Sequence, residues 1–305
     1  MKQFIKPLES EWKSILKRPT FSFKKLESLV ENIFSDVKAK GDSALYDYTL
    51  KFDKVSLNSF QVEESYFIEA EKNISSELKA SIKLAKNNIE VFHKAQQTQK
   101  VSVETQPGVL CWQEKRPIDK IGLYIPGGSA PLFSTLLMLA VPAQIAGCKE
   151  IILCTPPDEN GSIPDVILYT AKLCGLTQIF KLGGIQAIAA MTFGTETIPK
   201  VYKIFGPGNQ YVTVAKQIAT QHQIAIDMPA GPSELLVVAD QTANPAYIAS
   251  DLLSQAEHGA DSQVILVTTF YPLLELVKKE IDLQIKQLPR QEITKQAMKN
   301  SRMNK

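Results

Sequence analysis

Gln255 and His258 stand three residues apart, just before Gly259. On a helix that spacing puts both side chains on one face. A carboxamide oxygen and an imidazole could then reach one point beyond the helix end, where they would suit a metal ion or a polar substrate. Two donors do not complete a metal site. Asp251 precedes them at i, with Gln255 at i+4 and His258 at i+7, so it shares their face. Glu257 adjoins His258, but neighbouring helical residues point apart, which weakens the two as an acid–base couple. The plainer reading of His258 is a helix-terminal histidine held by the dipole and the last carbonyls. His93, on a Lys-rich helix, and His222, on a polar segment, are expected at the surface. Ser233 lies in a Gly-Pro-Ser-Glu run without the G-x-S-x-G setting of a nucleophile. It reads as a turn residue or a hydrogen-bond donor to substrate.

A second set of candidates is made of turns. Ile125-Pro126-Gly127-Gly128-Ser129, Leu182-Gly183-Gly184-Ile185-Gln186 and Phe205-Gly206-Pro207-Gly208-Asn209 each follow an apolar run and enter a helical one. Free N–H groups and the helix dipole suit such places to phosphate or another anion. Glycine is common in these turns for backbone reasons alone, so it is the three together that point to a ligand edge. The dinucleotide fingerprint G-x-G-x-x-G is not met, because Tyr211 takes the third glycine position.

The elements that must position these residues alternate. Short apolar runs at Ile121–Ile125, Ile151–Thr155, Ile179–Leu182 and Val201–Phe205 are each followed by a helical pattern, at Leu132–Ala146, Pro164–Leu173, Ile185–Phe193 and Tyr211–Thr220. Glu234–Ala239, Ala246–Glu257, Val264–Thr268 and Leu273–Gln287 continue the alternation. Strand–helix alternation predicts an α/β chain with a mostly parallel sheet and ligands at the carboxyl ends of its strands. The earlier part is helical, at Phe23–Lys40 and Ser75–Gln97, with Gly41-Asp42 read as a C-cap followed by a new N-cap. Residues before about Thr20 read as an arm without a core of its own, ended by Pro19.

A net charge of +2 over 305 residues is too small to argue for nucleic acid or a membrane surface. No apolar run reaches the ~20 residues of a membrane-spanning helix, and charge in every turn of the N-terminus leaves no signal-peptide core. Cys111, Cys148, Cys154 and Cys174 show no C-x-x-C spacing and read as reduced, buried thiols of a cytoplasmic protein.

Taken together, GLYIPGGSAPLFSTLLMLAVPAQIAGC (122–148), LGGIQAIAA (182–190), KIFGPGNQYV (203–212), AIDMPAGPSE (225–234) and ASDLLSQAEHGADSQVIL (249–266) resemble the histidinol dehydrogenase family. The resemblance runs through essentially the whole chain. It implies an NAD- and zinc-dependent homodimer that oxidises L-histidinol to L-histidine in two hydride transfers, with the aldehyde held between them. It places Tyr124, Gln186 and Asn209 at NAD, Ser233 at substrate, and Gln255 and His258 at both zinc and substrate. The implied fold is two incomplete Rossmann-like domains in an aldehyde dehydrogenase-like arrangement with a helical N-terminal region. Its expected division is an arm at 1–24, a first domain from 25–123 plus 232–305, and a second, NAD-contacting domain at 124–231. The family's Glu-His proton acceptors, its remaining zinc ligands (an Asp and a His) and a further substrate Glu have no counterpart in this sequence. The chain is therefore expected to be a C-terminally truncated member with impaired activity. Two other readings compete: a catalytically inactive binding remnant of that fold, and a metal-free aldehyde dehydrogenase-like enzyme using Cys154.

Overall fold

The computed structural model describes residues 1–17, 23–128, 131–229, 234–260 and 262–304. The chain opens with strand β1 (Lys2–Phe4) and helix α1 (Glu9–Ile15). Four helices follow: α2 (Phe23–Lys40), α3 (Asp42–Asp53), α4 (Glu64–Asn73) and α5 (Ser76–Ala95). A hairpin of β2 (Val101–Gln106) and β3 (Val109–Gln113) leads into an alternating run. That run is β4 (Lys120–Tyr124), α6 (Phe133–Ala146), β5 (Glu150–Thr155), α7 (Asp165–Leu173), β6 (Gln178–Lys181), α8 (Gly184–Phe193), β7 (Lys203–Phe205), α9 (Gln210–Gln221) and β8 (Ala225–Ile226). The chain continues through β9 (Glu234–Ala239), α10 (Pro245–Ala256), β10 (Gln263–Thr268), α11 (Tyr271–Gln284), α12 (Gln291–Asn300) and β11 (Arg302–Asn304).

Two compact units result, one spanning 22–230 and one combining 1–21 with 231–305. In the larger, five parallel strands lie in the order β6-β5-β4-β7-β8. Numbered within the sheet that is 3-2-1-4-5, the doubly wound order whose direction reverses between β4 and β7. Runs such as Ile152-Leu153-Cys154 are apolar without alternation because helices cover both faces. Helices α2, α3, α8 and α9 share one core with the sheet through Val30, Phe34, Leu45, Ile188 and Ala215. Helices α4 to α7 share the other, through Phe67, Ile82, Leu137 and Ile167.

The expected domain division is corrected here. Residues 25–123 were paired with 232–305, yet α2 to α5 and β4 bury their apolar faces in the same cores as 124–224. The expected arm is also corrected, because β1 pairs in parallel with β11 as a strand of the smaller unit's sheet. That sheet is parallel throughout, in the order β1-β11-β10-β9. Helices α10, α11 and α12 pack on one face of it, against Val264, Leu266 and Met303. The opposite face carries Leu236 and Val238, which are 58% and 73% exposed.

Three smaller expectations also shift. Gly41, not Asp42, occupies the N-cap of α3, and the Asp42 carboxylate instead accepts from the backbone N–H and hydroxyl of Thr197. His222 caps the end of α9 and packs on the rings of Phe34 and Phe193, so it is not a free surface residue. All four cysteines are free thiols, but only Cys154 and Cys174 are buried, and Cys111 is exposed on the hairpin.

Candidate functional site

Three turns leave the carboxyl edge of the five-stranded sheet and line one cleft of about 650 Å3, within the usual size of small-molecule sites. Tyr124 ends β4, Gln186 lies in the first turn of α8, and Asn209 is the N-cap of α9. All three line the cleft together with Gly127, Gly128 and Gly184. The turn after β4 and the turn after β7 flank the reversal of strand order, where doubly wound sheets open a crevice. Ser129, in the first turn, lies outside the described residues.

Each side chain is held by local chemistry. Tyr124 is buried and burial pushes its phenol up, so it stays protonated. Its hydroxyl accepts from the backbone N–H of Gly184 at 3.0 Å, tying the first turn to the second. Gly184 has φ +64, and a Cβ there would stand 2.9 Å from Gln186 Oε1, so the glycine leaves room for that amide. Gln186 Oε1 is itself buried without a hydrogen-bond partner among the described residues. An orphaned acceptor on a cleft wall favours a ligand N–H or O–H donor. Asn209 Oδ1 accepts from the N–H groups of Tyr211 and Val212, each at 3.1 Å, which leaves its amide hydrogens free to donate.

The third turn is clamped from behind. The N–H of Gly206 donates to Asp227 Oδ2 at 2.8 Å and its carbonyl accepts from Lys216 Nζ at 2.7 Å. Lys216 and Asp227 also pair directly. Gly206 has φ +134, and a Cβ on it would collide with the Tyr124 carbonyl. One ion pair therefore fixes a turn pressed against the strand that carries Tyr124.

Gln255 and His258 belong to the other unit. Gln255 is half-buried in the last turn of α10, while His258 is exposed and lies beyond the C-cap Glu257. The helical face expected to carry Asp251, Gln255 and His258 is thus cut short, because the N–H of His258 turns back to the Gln255 carbonyl at 3.3 Å. Ser233 lies outside the described residues. Among the described residues no three His, Cys, Asp or Glu side chains gather to hold a metal. Cys154 is buried in β5 and its thiol is pushed up by desolvation, so it is no poised nucleophile.

The model of the histidinol dehydrogenase family matches residues 16–304. The chain belongs to the histidinol dehydrogenase family. It is 54% identical to a histidinol dehydrogenase of Bacteroides thetaiotaomicron over 303 residues, covering 99% of this chain and 71% of that protein. The counterpart in Escherichia coli K12 is 52% identical, over 95% of this chain and 67% of its own length. The crystal structure of histidinol dehydrogenase from Elizabethkingia anophelis superposes with a TM-score of 0.95 at 56% identity, covering 100% of this chain and 70% of that one. This is an oxidoreductase family.

The cleft fits a dinucleotide: an orphaned acceptor, free amide donors and two helix N-termini converge on it. Gln255 and His258 do not by themselves fit tetrahedral zinc, which takes four ligands or three and a water. Sequence reasoning missed Asp53 and Phe52, which line the cleft from α3, and the Lys216–Asp227 clamp. Their only sequence signals are an acid in the last turn of a helix and an Asp shortly before Gly231, neither of which is specific.

Proposed function

We propose that this protein is an NAD-linked dehydrogenase of the amino alcohol L-histidinol, converting it through a bound aldehyde to L-histidine in the cytoplasm as a homodimer. The observation that carries the reading is that Tyr124, Gln186 and Asn209, from three separate strand–helix junctions, line one cleft at the reversal of strand order. NAD bound there would supply the hydride acceptor. Asn209 donates its amide hydrogens to the dinucleotide near the start of α9, Gln186 Oε1 accepts from it, and Tyr124 holds the α8 turn through Gly184. Among the described residues the helices and strands behind that edge bury both sides of the sheet, which excludes water from its base. On the substrate side, Ser233, Gln255 and His258 contact the amino alcohol, and Gln255 and His258 supply two donors for Zn2+.

A second reading, dinucleotide binding without turnover, is favoured by that donor set of two. Purified chain mixed with Zn2+, NAD and L-histidinol separates them through NADH absorbance. Turnover sustains the dehydrogenase. Saturable NAD binding without NADH sustains the binding protein, and absence of NAD binding sinks both.

A further inference from the structure

Asp53 is the last residue of α3 and lines the cleft beside Phe52. The carboxyl end of a helix carries the negative pole of its dipole and disfavours an acid. Asp53 stands there half-buried, and its Oδ2 has no hydrogen-bond partner among the described residues. Desolvation pushes its carboxyl up to about 6. Of the elements that build the cleft, β4 faces it with Tyr124, α9 with Tyr211, α2 with Leu29 and α8 with Gln186; among the described residues no Lys, Arg or His lines it, and Lys51 Nζ lies 5.4 Å from the centre of the Phe52 ring. A carboxyl left unpaired against local preference marks a place where a ligand supplies the donors.

In sheets of this order the acid that takes ribose hydroxyls usually follows the first strand–turn–helix by about 20 residues, at the end of the second strand. Here Pro156-Pro157 follow β5. The next acid, Asp158, is occupied in its own turn, with Oδ1 accepting from the N–H of Asn160 at 2.9 Å and of Ser162 at 2.8 Å. The cleft thus lacks the usual carboxylate and receives one from α3. Beside it Phe52, 43% exposed, lines the cleft with a ring that stacks on Tyr48 and lies under Lys51 Nζ.

Resting on the NAD reading above, we propose that Asp53 holds the vicinal diol of the adenosine ribose and thereby selects NAD over NADP. A carboxylate accepts both hydroxyl protons of the diol. A 2′-phosphate would set negative charge against it, and among the described residues no cation lines the cleft to offset the repulsion. Binding the diol stabilises the charged carboxylate, so affinity is full above the free carboxyl's titration and falls as pH drops through about 6.

The test titrates the full chain and its Asp53→Asn variant with NAD and NADP by calorimetry across that window. Expected are about ten-fold weaker NAD binding in the variant, a narrowed NAD-to-NADP ratio, and loss of the wild-type pH dependence. Equal weakening of both dinucleotides assigns Asp53 to the other ribose and overturns the proposal, as does a variant that binds both like wild type. Wild type binding neither dinucleotide overturns the NAD reading along with it. Since charging Asp53 costs the folded state stability as pH rises, D53N should melt no lower than wild type above pH 6. Should it not fold, the wild-type pH profile decides alone: affinity unchanged through about pH 6 overturns the assignment.

Discussion

The two units use the same ingredients to different ends. In the larger, helices cover both faces of a parallel sheet; at its carboxyl edge Tyr124 is bonded to the second turn and the Lys216–Asp227 pair clamps the third. In the smaller, helices cover one face, and Leu236 and Val238 stand exposed on the other. Parallel sheets are normally covered on both sides. Where both faces are buried, strand ends form a rigid edge and the turn residues are held by bonds that have nothing to do with ligand. Where one face is bare, the candidate donors Gln255 and His258 sit at the end of a helix, half-buried and exposed respectively.

The largest effect is expected from Gly206→Ala. It forces an alanine into φ +134 and onto the Tyr124 carbonyl, costing about 3 kcal/mol or more. Thermal unfolding should show the loss, and NAD binding should go with it. An unchanged melting temperature would mean that the third turn is not pressed against β4.

Lys216→Met comes next. Lys216 is almost wholly buried and Asp227 partly solvated, so leaving Asp227 and the Gly206 carbonyl without their partner should cost about 2 kcal/mol. Denaturant unfolding measures it, and a loss below about 0.5 kcal/mol would show the clamp to be dispensable.

A paired comparison gives the smallest effects. Asn209→Ala removes an N-cap and should cost about 1 kcal/mol in unfolding, with weaker NAD binding by calorimetry. His258→Ala, at an exposed turn, should change stability by no more than about 0.5 kcal/mol while lowering Zn2+ uptake. Equal destabilisation by the two would erase the contrast between the units.

The alternation from residue 120 onward was legible because strands buried on both sides read as unbroken apolar runs such as Ile151-Ile152-Leu153. The short strands β1, β8 and β11 were not, since two or three residues such as Arg302–Asn304 carry no periodicity. The hairpin from Val101 to Gln113 was missed as well, its apolar residues being exposed on both strands. The three turns could be placed at one sheet edge because each follows a strand. Asp53 could not, as it reaches the cleft from a helix some 70 residues earlier than the β4 turn in the chain, and only packing of α3 brings it there. The division into units failed for the same reason: α2 and α5 read as amphipathic helices, and nothing in their pattern says which sheet they cover.

We propose that the turns of residues 22–230 hold the dinucleotide without help from the metal donors Gln255 and His258. Calorimetric titration of the full chain with NAD in the presence of a zinc chelator tests it most directly. Saturable binding at one site per chain, undiminished by the chelator, is the expected result. Binding that appears only after Zn2+ is restored, or no binding at all, would contradict it.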